Sequence, residues 1–354
     1  MNEGTEWLQG GIATPDEETR CRAEMRQAVL TKPPGALGRL EEVAIQLAML
    51  QGADHPSVDK VFIIVFAGDH GVADENISAF PQSVTAEMVK NFRRGGAAIC
   101  VAAKALGADF DIINLGTVHE TGHDEVVKNY ALGQGTENFT RTAAMTEWQL
   151  SRALDIGRDA AEHAKSKGAQ LFIGGEMGIG NTTVASALAC MLLSASPEQL
   201  VGPGTGLDSR GVAHKTEVIR QALACHKNHN GTVIEILRRL GGFEIAALVG
   251  SYIACAQIGL PVLIDGFICS VAALAAEQLS PGTGKWLLYS HTSAEPGHRV
   301  VLDALEARPL VDLGMRLGEG SGAAVTVPVL RMACTLHNDM ATFTEAGVSE
   351  KHTE

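Results

Sequence analysis

Short apolar runs that end on glycines and polar residues recur along the chain. Residues 61–66 run into Ala67-Gly68-Asp69-His70, 110–115 into Gly116-Thr117, and 171–173 into Gly174-Gly175-Glu176. Residues 262–264 run into Asp265-Gly266, and 286–289 into Ser290-His291-Thr292. Runs this short, without polar alternation, read as strands buried on both faces. Between them lie Ala-rich segments with helical spacing at 84–106, 182–193, 216–224, 243–258 and 268–278. Ahead of the first run, 17–30 reads as a helix stopped by Lys32-Pro33-Pro34-Gly35, and 37–50 repeats apolar residues at helical spacing. The apolar stretch after Glu319 is predicted to be helical through Cys334.

Strand, loop and helix in repetition place the chain in the α/β class. The expected fold is a parallel, Rossmann-like sheet with helices on both faces, plus a small helical domain from the N- and C-terminal segments. The expected boundaries are 1–50 for the N-terminal helical segment, 51–322 for the α/β catalytic domain and 323–354 for the C-terminal helical segment. In such sheets the ligand sits beyond the carboxyl ends of the strands, where these runs place their glycines and titratable side chains. Composition agrees: 45% hydrophobic and only 5% aromatic residues with 39 glycines suit Ala/Val/Leu/Ile packing and tight turns.

The formal net charge of −13 argues against a nucleic-acid or anionic-membrane partner, so positive charge for a phosphate has to be local. The longest apolar stretch, 245–264, is interrupted by Gly250, Ser251, Gln257, Gly259 and Pro261 and reads as a core helix feeding a strand, with no membrane span. No basic start followed by an apolar run marks a secretion signal, and the expected compartment is the cytoplasm. Seven cysteines without a CxxC pair read as small buried thiols.

Three glycine-rich segments carry the candidate chemistry. Gly174-Gly175-Glu176-Met177-Gly178-Ile179-Gly180-Asn181-Thr182-Thr183 follows a strand and opens a helix, whose free N–H groups suit phosphate, with Asn181 or Thr182 as its expected cap. Glu176 has little structural reason to stand in such a loop. Gly202-Pro203-Gly204-Thr205-Gly206 is a second loop, followed by Lys215, which reads either as a phosphate clamp or as a solvated lysine. Gly318-Glu319-Gly320 brackets a second glutamate, either a surface turn or a carboxylate aimed at a reacting atom as a base. Asp69-His70 reads as a pair that shapes the site by hydrogen bonding. His119 and His123 have ligand-like spacing but lack a third ligand, so no metal is expected. No GxSxG elbow accompanies the Ser290-His291 strand end.

Together these segments resemble a known family, in order and over nearly the whole chain. Lys32-Pro33-Pro34-Gly35-Ala36-Leu37-Gly38-Arg39-Leu40-Glu41, Ala67-Gly68-Asp69-His70-Gly71-Val72 and Gly175-Glu176-Met177-Gly178-Ile179-Gly180-Asn181-Thr182-Thr183 resemble motifs of the nicotinate-nucleotide–dimethylbenzimidazole phosphoribosyltransferases. Gly241-Gly242-Phe243-Glu244, Ile264-Asp265-Gly266-Phe267 and Met315-Arg316-Leu317-Gly318-Glu319-Gly320-Ser321-Gly322-Ala323 resemble further ones. The resemblance implies transfer of phosphoribose from nicotinate mononucleotide to an aromatic base, benzimidazole, phenolic or purine, in cobamide biosynthesis, with no cofactor or metal. It implies a homodimer, or a heterodimer with a paralogue.

The resemblance also implies residue roles. Glu319 is the catalytic base and Glu176 a second active-site carboxylate, while Gly178, Asn181, Thr182, Gly204, Gly206 and Lys215 bind the nucleotide phosphate. Phe80, Met88, Met177 and Leu317 line the acceptor pocket, and Asp69, His70, Asp265 and His291 shape the site. In the family's pattern a serine and a glutamine stand in the segment aligned with 78–88. Phe80 and Met88 are more apolar, which favours a less polar acceptor. Two other readings fit the loops: another phosphoribosyltransferase or nucleoside phosphorylase, and a catalytically impaired partner subunit.

Overall fold

A computed structural model of the protein describes residues 4–122, 126–228 and 231–349; His123 lies outside the described residues. The strands are β1 (Val61–Gly68), β2 (Asp109–Gly116), β3 (Val127–Asn129), β4 (Leu171–Met177), β5 (Val262–Ile264) and β6 (Leu287–Tyr289). They form one parallel sheet in the order β3-β2-β1-β4-β5-β6. The chain builds outward from β1 in one direction, then from β4 in the other. The loops after β1 and β4 therefore diverge, and a crevice opens at their carboxyl ends.

β1 shows why uninterrupted apolar runs form this sheet. Phe62, Ile64 and Phe66 enter one apolar core, while Val61, Ile63, Val65 and Ala67 enter another on the opposite face. The first core is closed by helices that include Glu147–Ser166, Asn181–Leu193, Phe243–Gln257 and Phe267–Leu279. The second is closed by Arg39–Gln51, Ser83–Arg93, Ala98–Leu106 and Ser321–Asp339. The terminal segments meet there: Arg26 in the helix Glu17–Val29 donates to the carbonyls of His337 and Asn338, both at 2.6 Å. Val43 and Leu47 share their core with Ile63 of the sheet and with Val327 and Leu330, so these helices lie directly on the sheet face.

Some expectations change. The helix expected over 84–106 is two helices, Ser83–Arg93 and Ala98–Leu106, because Gly95 takes φ +75° between them. Strand β3 and the helices Glu147–Ser166, Val233–Leu240 and Gly297–Ala304 join the predicted elements. Five cysteines are buried, while Cys21 and Cys225 are exposed, and all seven are unpaired.

The helices Glu147–Ser166 and Phe243–Gln257 pack closely. A Cβ at Gly157 would collide with the Ala247 carbonyl, and one at Gly250 with the Leu154 carbonyl. Backbone contact replaces side-chain contact there. Alanine in place of glycine stabilises an ordinary exposed helix by about 1 kcal/mol. Gly157→Ala is expected to do the reverse, destabilising by about 1–3 kcal/mol because the methyl group forces the helices apart. Chemical denaturation checks this, and a variant more stable than wild type contradicts it.

Candidate active site

The crevice is built from four strand ends. At the end of β1, the Asp69 carboxylate accepts from the Val118 amide at 2.9 Å, and the Thr85 hydroxyl holds it further. Thr85 Oγ1 in turn accepts from the Ile179 amide at 3.0 Å, which ties the loop after β4 to β1. His70 Nε2 lies 2.9 Å from Glu244 Oε1, with both side chains fully buried. Burial alone would depress the imidazole. The charge and hydrogen bond of Glu244, aided by Asp69, outweigh it and hold the His70 pKa above its ordinary value. A Cβ at Gly178 would collide with the Gly68 carbonyl and stand 2.9 Å from His70 Nε2, so these residues buttress the glycine loop from behind.

Glu176 is buried near the end of β4, and its carboxylate accepts a close hydrogen bond from the Asn181 side-chain amide. Asn181 is therefore no helix cap. The N-cap of Asn181–Leu193 is Gly180 at φ +101°, without a side-chain cap bond, because Asn181 turns to Glu176. The Thr182 hydroxyl, the other expected cap, accepts from Lys215 Nζ at 2.8 Å.

Glu319 sits between Gly318 and Gly320, and all three have positive φ, +87°, +64° and +81°. A Cβ at Gly318 would collide with Glu176 Oε1, so the glycine lets the two glutamates approach. Asp265, just beyond β5, fixes this run: its carboxylate accepts from the Gly320 amide at 3.2 Å and the Ala323 amide at 2.9 Å. These are buried donors that the first turn of the helix Ser321–Asp339 leaves without a partner inside the helix. His291, just beyond β6, lies 3.9 Å from Asp265 and shares a 3.0 Å hydrogen bond with Ser290. Its ring covers Gly322, where a Cβ would collide with it.

Burial pushes the Glu176 carboxyl well above the ordinary 4.5, and the neighbouring Asp265, Glu244 and Glu319 push it further. Burial raises Glu319 as well; the Ile99 amide opposes this and Asp265 adds to it. Glu319 Oε2 is buried without a hydrogen-bond donor among the described residues.

The second glycine loop faces these carboxylates. Lys215 is 1% exposed and does not reach the cavity surface; Nζ also donates to the Gly202 carbonyl at 3.4 Å. Burial lowers its pKa to about 8, against the pull of Glu295. Arg316 donates to the Gly204 carbonyl at 2.7 Å. Burial raises the Glu295 carboxyl, opposed by Lys215, Arg316 and the Gly204 amide.

These elements enclose a cavity of about 430 Å³. Phe80, Val84, Met88, Met177 and Leu317 give it an apolar wall, with Phe80 and Leu317 half exposed at its mouth. Glu176, Asp265, His291 and Glu319 give it a polar one, and Gly178, Asn181, Thr182 and Gly204 line the remainder. Gly206, Asp69, His70 and Lys215 stand outside the lining. Sequence reasoning assigned no role to Thr205, Ser293, Glu295 or Arg316, which all line it. Arg316 carried a signal, since it lies in a glycine-rich segment already singled out, and Glu295 stands just past the Ser290-His291-Thr292 strand end. Among the described residues no group of three or more His, Cys, Asp or Glu is arranged to hold a metal ion.

A family model described as phosphoribosyltransferase matches residues 12–348. The chain belongs to this phosphoribosyltransferase family. It is 56% identical to a protein of Pseudomonas aeruginosa (strain LESB58) named nicotinate-nucleotide–dimethylbenzimidazole phosphoribosyltransferase, over 98% of this chain and 99% of that one. A protein of the same name from Xanthomonas oryzae pv. oryzae (strain PXO99A) is also 56% identical, over 98% and 99%. The crystal structure of CobT from Thermus thermophilus superposes with a TM-score of 0.90 at 44% identity, covering 94% of this chain and all of that one. No helix among the described residues of this phosphoribosyltransferase is long and apolar enough to cross a membrane.

The raised Glu176 carboxyl sets a sign for stability. Above pH 4.5 the unfolded chain releases this proton while the folded chain keeps it. Its contribution to stability therefore falls as pH rises from 4.5 towards the folded-state value. Glu176→Gln removes that contribution. Thermal melts at a series of pH values upward from 4.5 should show a shallower decline for the variant, and parallel curves contradict the assignment.

Proposed function

We propose that the chain transfers the phosphoribosyl group of nicotinate mononucleotide to 5,6-dimethylbenzimidazole or a related aromatic base. The products are α-ribazole 5′-phosphate, or its analogue, and nicotinate. The observation that carries this reading is the Glu319 carboxylate, with one buried oxygen that has no donor among the described residues, on the wall of a cavity that Phe80, Val84, Met88, Met177 and Leu317 line with apolar surface. An aromatic base with a ring N–H fits both: its faces meet the apolar side chains and its proton meets Glu319. Family membership and the names of the relatives support the same reaction.

The leaving group is a pyridinium, whose positive charge disappears as the glycosidic bond breaks, so nicotinate departs without a general acid. The enzyme has to hold the phosphoribosyl group, align the attacking nitrogen and accept one proton. Glu319, with a pKa raised towards the working range, accepts that proton as the new C–N bond forms at the anomeric carbon. Direct displacement converts the β anomer to the α anomer. Positive charge on the bound donor and on the reacting ribosyl carbon favours the ionised form of nearby Glu176, which then stabilises that charge.

The phosphate takes the Gly178 and Gly204 loops at the start of the helix Asn181–Leu193. Lys215 acts from behind, through Thr182 and the carbonyl of Gly202.

Incubation with nicotinate mononucleotide and a panel of benzimidazoles, phenols and purines, with mass detection, should yield ribosyl-phosphate adducts without added phosphate or pyrophosphate. Glu319→Gln should lower kcat by roughly 10²-fold or more while nucleotide KM changes little. Absence of adducts overturns the function, and near-wild-type turnover by Glu319→Gln overturns the base assignment.

A further inference from the structure

Two carboxylates among the residues that line the cavity each have one buried oxygen without a hydrogen-bond donor among the described residues, Glu319 at Oε2 and Glu295 at Oε1. A buried acceptor left without a donor is costly, so a site built around one is completed by its ligand. In the proposed reaction the Glu319 carboxylate takes the proton of the attacking base. The second is unaccounted for.

Glu295 follows β6, is 6% exposed and stands beside the glycine loop proposed for the phosphate. A Cβ at Gly202 would collide with Glu295 Oε2, and the Gly204 amide and the charges of Lys215 and Arg316 act on the same carboxyl group. These contacts explain how a carboxylate is tolerated there; they supply nothing to Oε1. A carboxylate so near a phosphate site calls for a ligand group that donates.

The proposed donor substrate offers few such groups. Its phosphate and its nicotinate carboxylate accept hydrogen bonds, and the pyridinium ring nitrogen carries no proton. The ribose 2′- and 3′-hydroxyls are its hydrogen-bond donors. We infer that the Glu295 carboxylate accepts a hydrogen bond from a ribose hydroxyl of the phosphoribosyl donor, making Glu295 a specificity-determining residue that selects ribosyl over deoxyribosyl substrates. The inference rests on the phosphoribosyl-transfer reading. Discrimination follows because a deoxy substrate leaves the buried oxygen unpaired.

The test compares nicotinate mononucleotide with its 2′-deoxy and 3′-deoxy analogues on wild type and on Glu295→Ala, which removes the acceptor, at a fixed concentration of the aromatic base. Wild type should use at least one analogue with kcat/KM lower by roughly 10- to 100-fold. Glu295→Ala should lose a similar factor on the ribonucleotide while changing little on that analogue. Glu295→Asp, which keeps the charge but withdraws the oxygens, replaces it if the Ala variant folds poorly. Wild type using both analogues as well as the ribonucleotide overturns the inference. So does a variant that loses the same factor on all three nucleotides, as a residue that only braces the Gly202–Gly204 loop would. No turnover of the ribonucleotide by wild type is a different failure, that of the reaction itself.

Discussion

Asp265 holds the site together. Its carboxylate accepts from two amides at the start of the helix Ser321–Asp339, those of Gly320 and Ala323. Just before that helix the backbone passes through three consecutive residues of positive φ, and the middle one is Glu319, not a glycine. A non-glycine residue in that region costs about 1 kcal/mol or more. Hydrogen bonds to a buried carboxylate offset that cost, being stronger than those to a neutral acceptor. The close approaches around this turn follow from it. Gly175 has no side chain because Glu319's backbone lies against it, Gly318 none because of Glu176, and Gly322 none because of His291. Asp265 stands at the end of a buried strand, so the sheet sets where Glu319 points.

The electrostatics of the cavity are those of crowded acids. Glu176, Asp265, Glu295 and Glu319 all line it, and each carboxyl group is raised above its ordinary value chiefly by burial. Lys215 and Arg316 lower Glu295, whereas Glu176 has acids as its main charged neighbours. Such a site suits a ligand that brings positive charge and hydroxyl groups into it and carries its phosphate to one end. Behind the wall, the buried His70–Glu244 pair satisfies charge locally and leaves the loop above it to the ligand.

Much of this was legible in the chain. The apolar runs located five strands because a parallel sheet buried on both faces leaves no polar alternation, and the glycines at their ends marked the crevice. Strand β3 escaped because Val127 is its one buried residue, beside polar Lys128 and Asn129. The Gly95-Gly96 break was written in the sequence but masked by helical spacing on both sides. The partners of Asp265 were not legible, since they are backbone amides that carry no residue signature. Nor were those of Glu295, because Lys215 and Arg316 reach it from segments distant in the chain. Lys215 showed the opposite limit: its charge was evident, but its burial behind Thr182 was not.

If Asp265 acts by holding Glu319 in place, the two residues form one unit and their losses do not multiply. The decisive measurement is kcat for Asp265→Asn, Glu319→Gln and the double variant, all with nicotinate mononucleotide and the preferred base. The account predicts that the double variant retains the residual kcat of Glu319→Gln alone. A double variant slower by the product of the two single losses contradicts it, since Asp265 would then contribute by a route that does not pass through Glu319.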